Sequence, residues 1–215
     1  MKMNLKTLIT IAVMAMVPCA SGLAQPTLSD LFKAVQLGDT AGVQSLLDRG
    51  MDVNSTDPVG NSILMEAARE GKPEVVELLV ARKVKVNSQN AVGDTAIMIA
   101  ALTGRFEIVQ SLRKAGARID QPGWTPLHYA AFGGHARICE YLIAQGAPIN
   151  AASENGTTPL MMATREGHAD AVKVLLQAKA DPNAKTDAGR TALQWASAAG
   201  NSEVVDLLKR AGAKE

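Results

Sequence analysis

Apolar positions along this chain come in short paired stripes that return at a fixed spacing. One pair is Ile63-Leu64-Met65-Glu66-Ala67-Ala68 followed by Glu74-Val75-Val76-Glu77-Leu78-Leu79, and the paired aliphatics of the second stripe fall on one face of a helix. The glycines that close the first stripe of each pair are Gly38, Gly71, Gly104, Gly134, Gly167 and Gly200, separated by 33, 33, 30, 33 and 33 residues. A second series, Gly60, Gly93, Gly123, Gly156 and Gly189, marks a turn ahead of each pair, with gaps of 33, 30, 33 and 33. Both series agree on where three residues are missing. The pattern predicts six helix-turn-helix units, over about 27–55, 56–88, 89–120, 121–151, 152–184 and 185–215. Each unit is too small to bury its own apolar face, so stacked neighbours must supply the core.

Between the glycines the wording repeats. Gly123-Trp124-Thr125-Pro126-Leu127-His128-Tyr129-Ala130-Ala131, Gly156-Thr157-Thr158-Pro159-Leu160-Met161-Met162-Ala163 and Gly189-Arg190-Thr191-Ala192-Leu193-Gln194-Trp195-Ala196 are three copies, with looser ones after Gly60 and Gly93. The Thr or Ser caps a helix, and Pro suits the first turn, where no N–H is needed. Alanine pairs let helices approach closely. Lys83 and Lys179 replace the glycine that ends the second helix in two units, which predicts mild strain or fraying there. Thr27 with Asp30 three residues on reads as a capping box before the first helix.

This text resembles the ankyrin repeat, with its 33-residue period and Thr-Pro-Leu-His signature. The resemblance runs from about Leu28 to Lys214. It implies an all-α solenoid of six stacked helix-turn-helix units with short β-turn fingers. The first unit, Leu31 to Asn54, lacks the leading turn, as a capping repeat does.

Composition and charge narrow the function. Hydrophobic residues make up 47% and aromatic ones only 3%, so aliphatics and alanine must fill the core. A formal charge of +1 points to neither nucleic acid nor an anionic membrane. The chain opens with Lys2 and Lys6, then runs apolar from Leu8 to Val17, with Gly22 and Ala24 placed for cleavage before Gln25. This is the grammar of a signal peptide over residues 1–24. The alternative, a membrane anchor, suffers from the shortness of the apolar run, and Pro18 argues against Cys19 as a lipoprotein site. Cleavage removes Lys2 and Lys6 and turns the charge to −1, and it leaves Cys139 as the one thiol. The expected product is a periplasmic or secreted monomer with no internal disulfide.

Catalytic residues, metal ligands and cofactors are not expected. His128, His135 and His168 stand at positions the repeat explains, with no nucleophile, base and orienting group assembled around them. Met65, Met98 and Met161 share the register of His128 and read as core, since neighbouring units lie too far apart to share an ion. Cys139 reads as a buried small hydrophobe. Tyr129 and Trp195 read as packing between helices, and carboxylates such as Glu70, Glu166 and Asp187 as solvated.

In ankyrin folds the partner surface is the concave face, made from turn tips and the ends of the first helices. The resemblance therefore implies a binding module for another protein. Mapped onto this sequence, the turn positions include Asn61, Asp94, Trp124 and Arg190, and the helix ends carry Arg69, Glu70, Leu102, Thr103, Phe132, Arg165 and Glu166. Leu102, Trp124 and Phe132 form an apolar centre within a charged rim, the anatomy of an interface. Trp124 follows the shortened turn, so it is either a partner anchor beside a notch or a cover over that turn. Secreted bacterial ankyrin proteins of similar layout are associated with peroxide defence and catalase, or with neutralising toxins. An accessory or immunity role is accordingly the alternative function.

Overall fold

The structure is a computed structural model that describes residues 25–214. The signal-peptide assignment, its apolar run and the cleavage position fall on residues 1–24, outside the described residues. Among the described residues, twelve helices follow one another in six pairs. They are α1 Leu28–Leu37, α2 Thr40–Asp48, α3 Ile63–Glu70, α4 Pro73–Ala81, α5 Ala96–Leu102, α6 Phe106–Lys114, α7 Pro126–Phe132, α8 Ala136–Ala144, α9 Pro159–Arg165, α10 Ala169–Gln177, α11 Ala192–Ala198 and α12 Ser202–Arg210. Odd-numbered helices pack on odd-numbered neighbours and even on even, which gives two helical layers. No strand forms among the described residues; a single antiparallel bridge joins Thr56 and Ser62.

Stacking works because the touching faces are small. Ala67, Ala68, Ala100, Ala101, Ala130, Ala131, Ala163 and Ala196 are all fully buried. The outer helices add Val75, Val76 and Leu79 and their counterparts, such as Ile138, Cys139 and Leu142. The core is one continuous cluster along the stack.

Each inner helix starts the same way. Thr27, Ser62, Thr95, Thr125, Thr158 and Thr191 are N-caps in extended conformation. In all but α9, a side chain three residues on reaches back to the cap's own N–H, satisfying an otherwise orphaned donor. The acceptor is Asp30 in α1 (2.8 Å), Met65 sulfur in α3 (3.4 Å), Met98 sulfur in α5 (3.3 Å), His128 Nδ1 in α7 (3.2 Å) and Gln194 in α11 (3.1 Å). The Thr27–Asp30 box is formed as the sequence predicts. The methionines are buried, and two of them also serve as weak acceptors.

A ladder of asparagines ties the units together. Asn54, Asn87, Asn150 and Asn183 each accept the backbone N–H of Lys85, Arg118, Asp181 and Lys214 in the following unit, at 2.8–2.9 Å. One rung is absent. In the shortened stretch the ladder position holds Asp120, and its register partner is Pro148, which has no N–H to give. Asp120 instead lies 3.8 Å from Arg118.

The second helices end in left-handed backbone. Gly50, Gly116, Gly146 and Gly212 take this role with φ of 87–94°, while Lys83 and Lys179 are held there at 60° and 72°. A side chain in that region costs of order 1 kcal/mol. Lys83→Gly and Lys179→Gly are therefore expected to stabilise by about 0.5 kcal/mol each, the strain relieved less the extra chain entropy of glycine. Urea denaturation measures it: each variant's midpoint rises, and an unchanged or lower midpoint contradicts the strain.

Candidate functional site

Register places the site. Leu102, Phe132 and Arg165 each stand two residues before the glycine that closes an inner helix, so stacking brings them side by side on one face. With Trp124, Tyr129 and Met162 they line a groove of about 260 Å³. Trp124 is 38% and Phe132 36% exposed, and Leu102 is half-buried. The Arg165 guanidinium lies 5.6 Å from the Phe132 ring centre and bonds Glu166 at 2.8 Å. It forms a cationic rim on an apolar floor.

Two histidines fix the helix ends that carry this floor. Nε2–H of His135 donates to the Leu102 carbonyl at 3.0 Å, and that of His168 donates to the Phe132 carbonyl at 2.9 Å. Helix-end carbonyls lack intrahelical partners, so each ring satisfies one while bridging adjacent units. Gly133 makes room for this: a Cβ there would approach the Leu102 oxygen and the His135 ring to 2.7 Å. His128 bridges in the other direction, with Nε2–H donating to the Thr157 carbonyl at 3.0 Å. All three rings act as inter-unit ties.

Trp124 packs inward on one side and borders open space on the other. Its ring packs against His128 (5.3 Å between centres) and Tyr129 (6.0 Å), covering the start of α7. Together with Tyr129 it also forms the ridge between the groove and a second hollow of about 210 Å³, lined by residues that include Val92, Asp94, Gln121, Pro122 and Glu154. This hollow is the notch left by the shortened turn. The Tyr129 hydroxyl donates to the Asp94 carboxylate. Burial, and then that carboxylate, push the phenol further above its ordinary range.

Beyond Arg165 the groove opens into a shallower stretch lined by Arg190, Trp195, Ala198 and Ala199. Tyr129 and Trp195 pack against the core, in line with the sequence reading, and each also lines the groove with its half-buried outer side. For Trp195 the reason is size, since Ala198 and Ala199 are too small to cover it. Met162 was also missed, although Tyr129, Met162 and Trp195 share one register position, five residues before the closing glycine. Reading that column would have found them.

The remaining expected residues lie outside the hollows, several of them in use within the fold. Arg69 bonds the buried Glu66 at 2.5 Å, and Gln36 bonds the same carboxylate at 2.7 Å. Asn61 bonds Asp57 at 2.9 Å and accepts from Asn90. The Thr103 hydroxyl donates to the Ile99 carbonyl at 2.8 Å. Glu70 and Glu166 are exposed. Among the described residues, no group of three or more His, Cys, Asp or Glu side chains is placed to hold a metal ion. Burial pushes the Cys139 thiol up to about 12, so it stays protonated and unreactive.

A stack of paired helices in register with a groove along one face is the architecture of a helical solenoid. A family model described as ankyrin repeats matches in three copies, over residues 31–122, 115–186 and 153–214. The chain belongs to the ankyrin-repeat family. Its fold is similar to the human ASB11 ankyrin repeat domain, with a TM-score of 0.80 and 28% identity over 86% of this chain and 84% of that one. It is also similar to a chain in the complex of the predatory endopeptidase Bd0816 of Bdellovibrio bacteriovorus with the immunity protein Bd3460. There the TM-score is 0.76 at 30% identity, covering 86% of this chain and 99% of that one. Mouse protein phosphatase 1 regulatory subunit 27 is 48% identical over 48 residues, which is 21% of this chain and 31% of that protein. Ankyrin repeats bind protein partners, and nothing in the site assembles a catalytic constellation.

Burial lowers the His128 pKa, the largest cause, against two hydrogen bonds that raise it. The folded state then holds fewer protons than the unfolded chain once the pH drops below about 6.5, the ordinary histidine value. The stability tied to neutral His128 is present above that pH and is lost as pH falls toward the folded pKa, at no more than about 1.4 kcal/mol per pH unit. His128→Gln, the residue found at this position in the last unit, is expected to flatten the fall. Comparing urea midpoints at pH 7.5 and 5.5 checks this, and equal falls in both proteins contradict it.

Proposed function

We propose that this chain is an exported, non-enzymatic binding protein that holds a partner protein in the groove over its third to fifth units. The observation that carries the reading is that Trp124 and Phe132, two large aromatics left partly exposed, line the same apolar groove. Arg165, Glu166 and Arg190 supply the charged rim. Aromatic and arginine anchors around a desolvated centre are the usual energetic focus of protein interfaces. Export rests on the pattern of residues 1–24, and the working form is a monomer in the periplasm or outside the cell, without nucleic acid, membrane or cofactor. Within this reading, the similarity to a chain from an endopeptidase–immunity protein complex favours a partner that is itself an exported enzyme held in check. It supports that choice over an accessory role in peroxide defence.

Isolation of the periplasmic protein with its partner tests the proposal. The chain is expected to begin at Gln25, and full-length chain starting at Met1 in the cytosol contradicts export. Phe132→Ala and Trp124→Ala are each expected to weaken the complex by about 2 kcal/mol, roughly thirtyfold in Kd. Phe132→Ala should lower thermal stability less than Trp124→Ala, whose ring also packs on His128 and Tyr129, so the affinity loss in Phe132→Ala is the cleaner reading. Normal affinity in both variants places the interface elsewhere.

A further inference from the structure

The notch beside Trp124 has the build of a binding slot, and the fingers show why. Four turns share one design. Asp57, Asn90, Ser153 and Thr186 each donate their N–H to the carbonyl four residues on, at 2.9–3.0 Å, and accept the N–H of the glycine three residues on. Neighbouring full fingers then bond to one another. The Ala91 N–H donates to the Val59 carbonyl at 3.3 Å, and the Asp187 N–H donates to the Asn155 carbonyl at 3.1 Å.

The fourth finger, three residues short, makes none of these bonds. By register, the Val92 carbonyl matches those of Val59 and Asn155, and the Glu154 N–H matches those of Ala91 and Asp187. Both groups line the two sides of the notch, and neither has a partner among the described residues. At the notch the Gln121 amide is buried with its nitrogen and oxygen both unpartnered. Buried polar groups are ordinarily satisfied, so an orphaned amide at this place is informative. The charge is one-sided: the Asp94 and Glu154 carboxylates face the notch and pair with no cation among the described residues. The Trp124 ring stands at one wall, a surface that attracts cations.

We propose that the notch receives a turn of the partner protein that takes the place of the missing finger and carries a lysine or arginine. Its N–H bonds the Val92 carbonyl, its carbonyl accepts the Glu154 N–H, and its cationic side chain lies between Asp94 and Glu154 against Trp124. This is strand-like addition reduced to a single turn, with backbone bonds giving fit and the charge giving selectivity. It rests on the groove being the partner face, because the notch adjoins the groove across the Trp124–Tyr129 ridge.

The test uses the protein labelled with nitrogen-15 and a disulfide-closed hairpin peptide bearing arginine at its turn, with the glutamate version as control. The arginine peptide is expected to shift the amides of Val92, Asp94, Gln121 and Glu154 and the Trp124 indole, while the glutamate peptide shifts none. Asp94→Asn with Glu154→Gln should weaken binding about tenfold, the combined worth of two exposed ion pairs. Inserting three residues between Asp120 and Gln121, to restore the finger, should abolish it. Equal shifts from both peptides, or no shifts at the notch, overturn the proposal. So does a response of these amides to dilution of the protein alone, which assigns the slot to a second copy. Loss of partner binding in Phe132→Ala with the peptide response intact separates the two sites, so the groove reading and the slot stand or fall separately.

Discussion

No helix pair in this molecule can bury its own apolar face, and everything else follows from that constraint. A pair of helices of seven to ten residues has too little interior, so folding requires neighbours whose touching faces match. Fully buried alanines at the same register in unit after unit meet the requirement. Matching faces force matching registers. A position two residues before each closing glycine becomes a column on the surface, and so does the position five before. The groove is the place where those columns happen to hold Leu102, Phe132, Tyr129 and Met162 rather than short or charged side chains.

Polar groups make that registry rigid. Extended N-caps, reach-back acceptors as different as a carboxylate, a thioether, an imidazole and an amide, and three bridging histidines satisfy helix ends that would otherwise be orphaned. Their effect on the groove is direct. His135 and His168 hold the carbonyls of Leu102 and Phe132, so the apolar floor is set by the fold itself. Preorganisation of this kind lowers the cost of binding. The one interruption, where Asp120 and Pro148 stand at the ladder positions and the fourth finger is cut short, lies beside the groove and gives this otherwise uniform stack its individual feature.

The all-helical stack, the left-handed backbone at Lys83 and Lys179, and the grouping of Leu102, Trp124, Phe132 and Arg165 around one groove were legible in the sequence, because each depends only on register. What was not legible depends on the size of neighbours. Trp195 is uncovered because Ala198 and Ala199 are small, and Tyr129 turns outward to Asp94, 35 residues away. The internal use of Arg69, Asn61 and Thr103 was likewise hidden. Their partners Glu66, Asp57 and Ile99 are close in sequence, yet only the folded geometry shows that the bonds form.

Hydrogen exchange, followed by mass spectrometry on the protein with and without its isolated partner, tests the central claim most directly. The account predicts slowed exchange at the ends of α5, α7 and α9 and in the turns of the third to fifth units, with the outer helices α6, α8 and α10 unchanged. Slowing confined to the outer helices, or to the first or last unit, would contradict it.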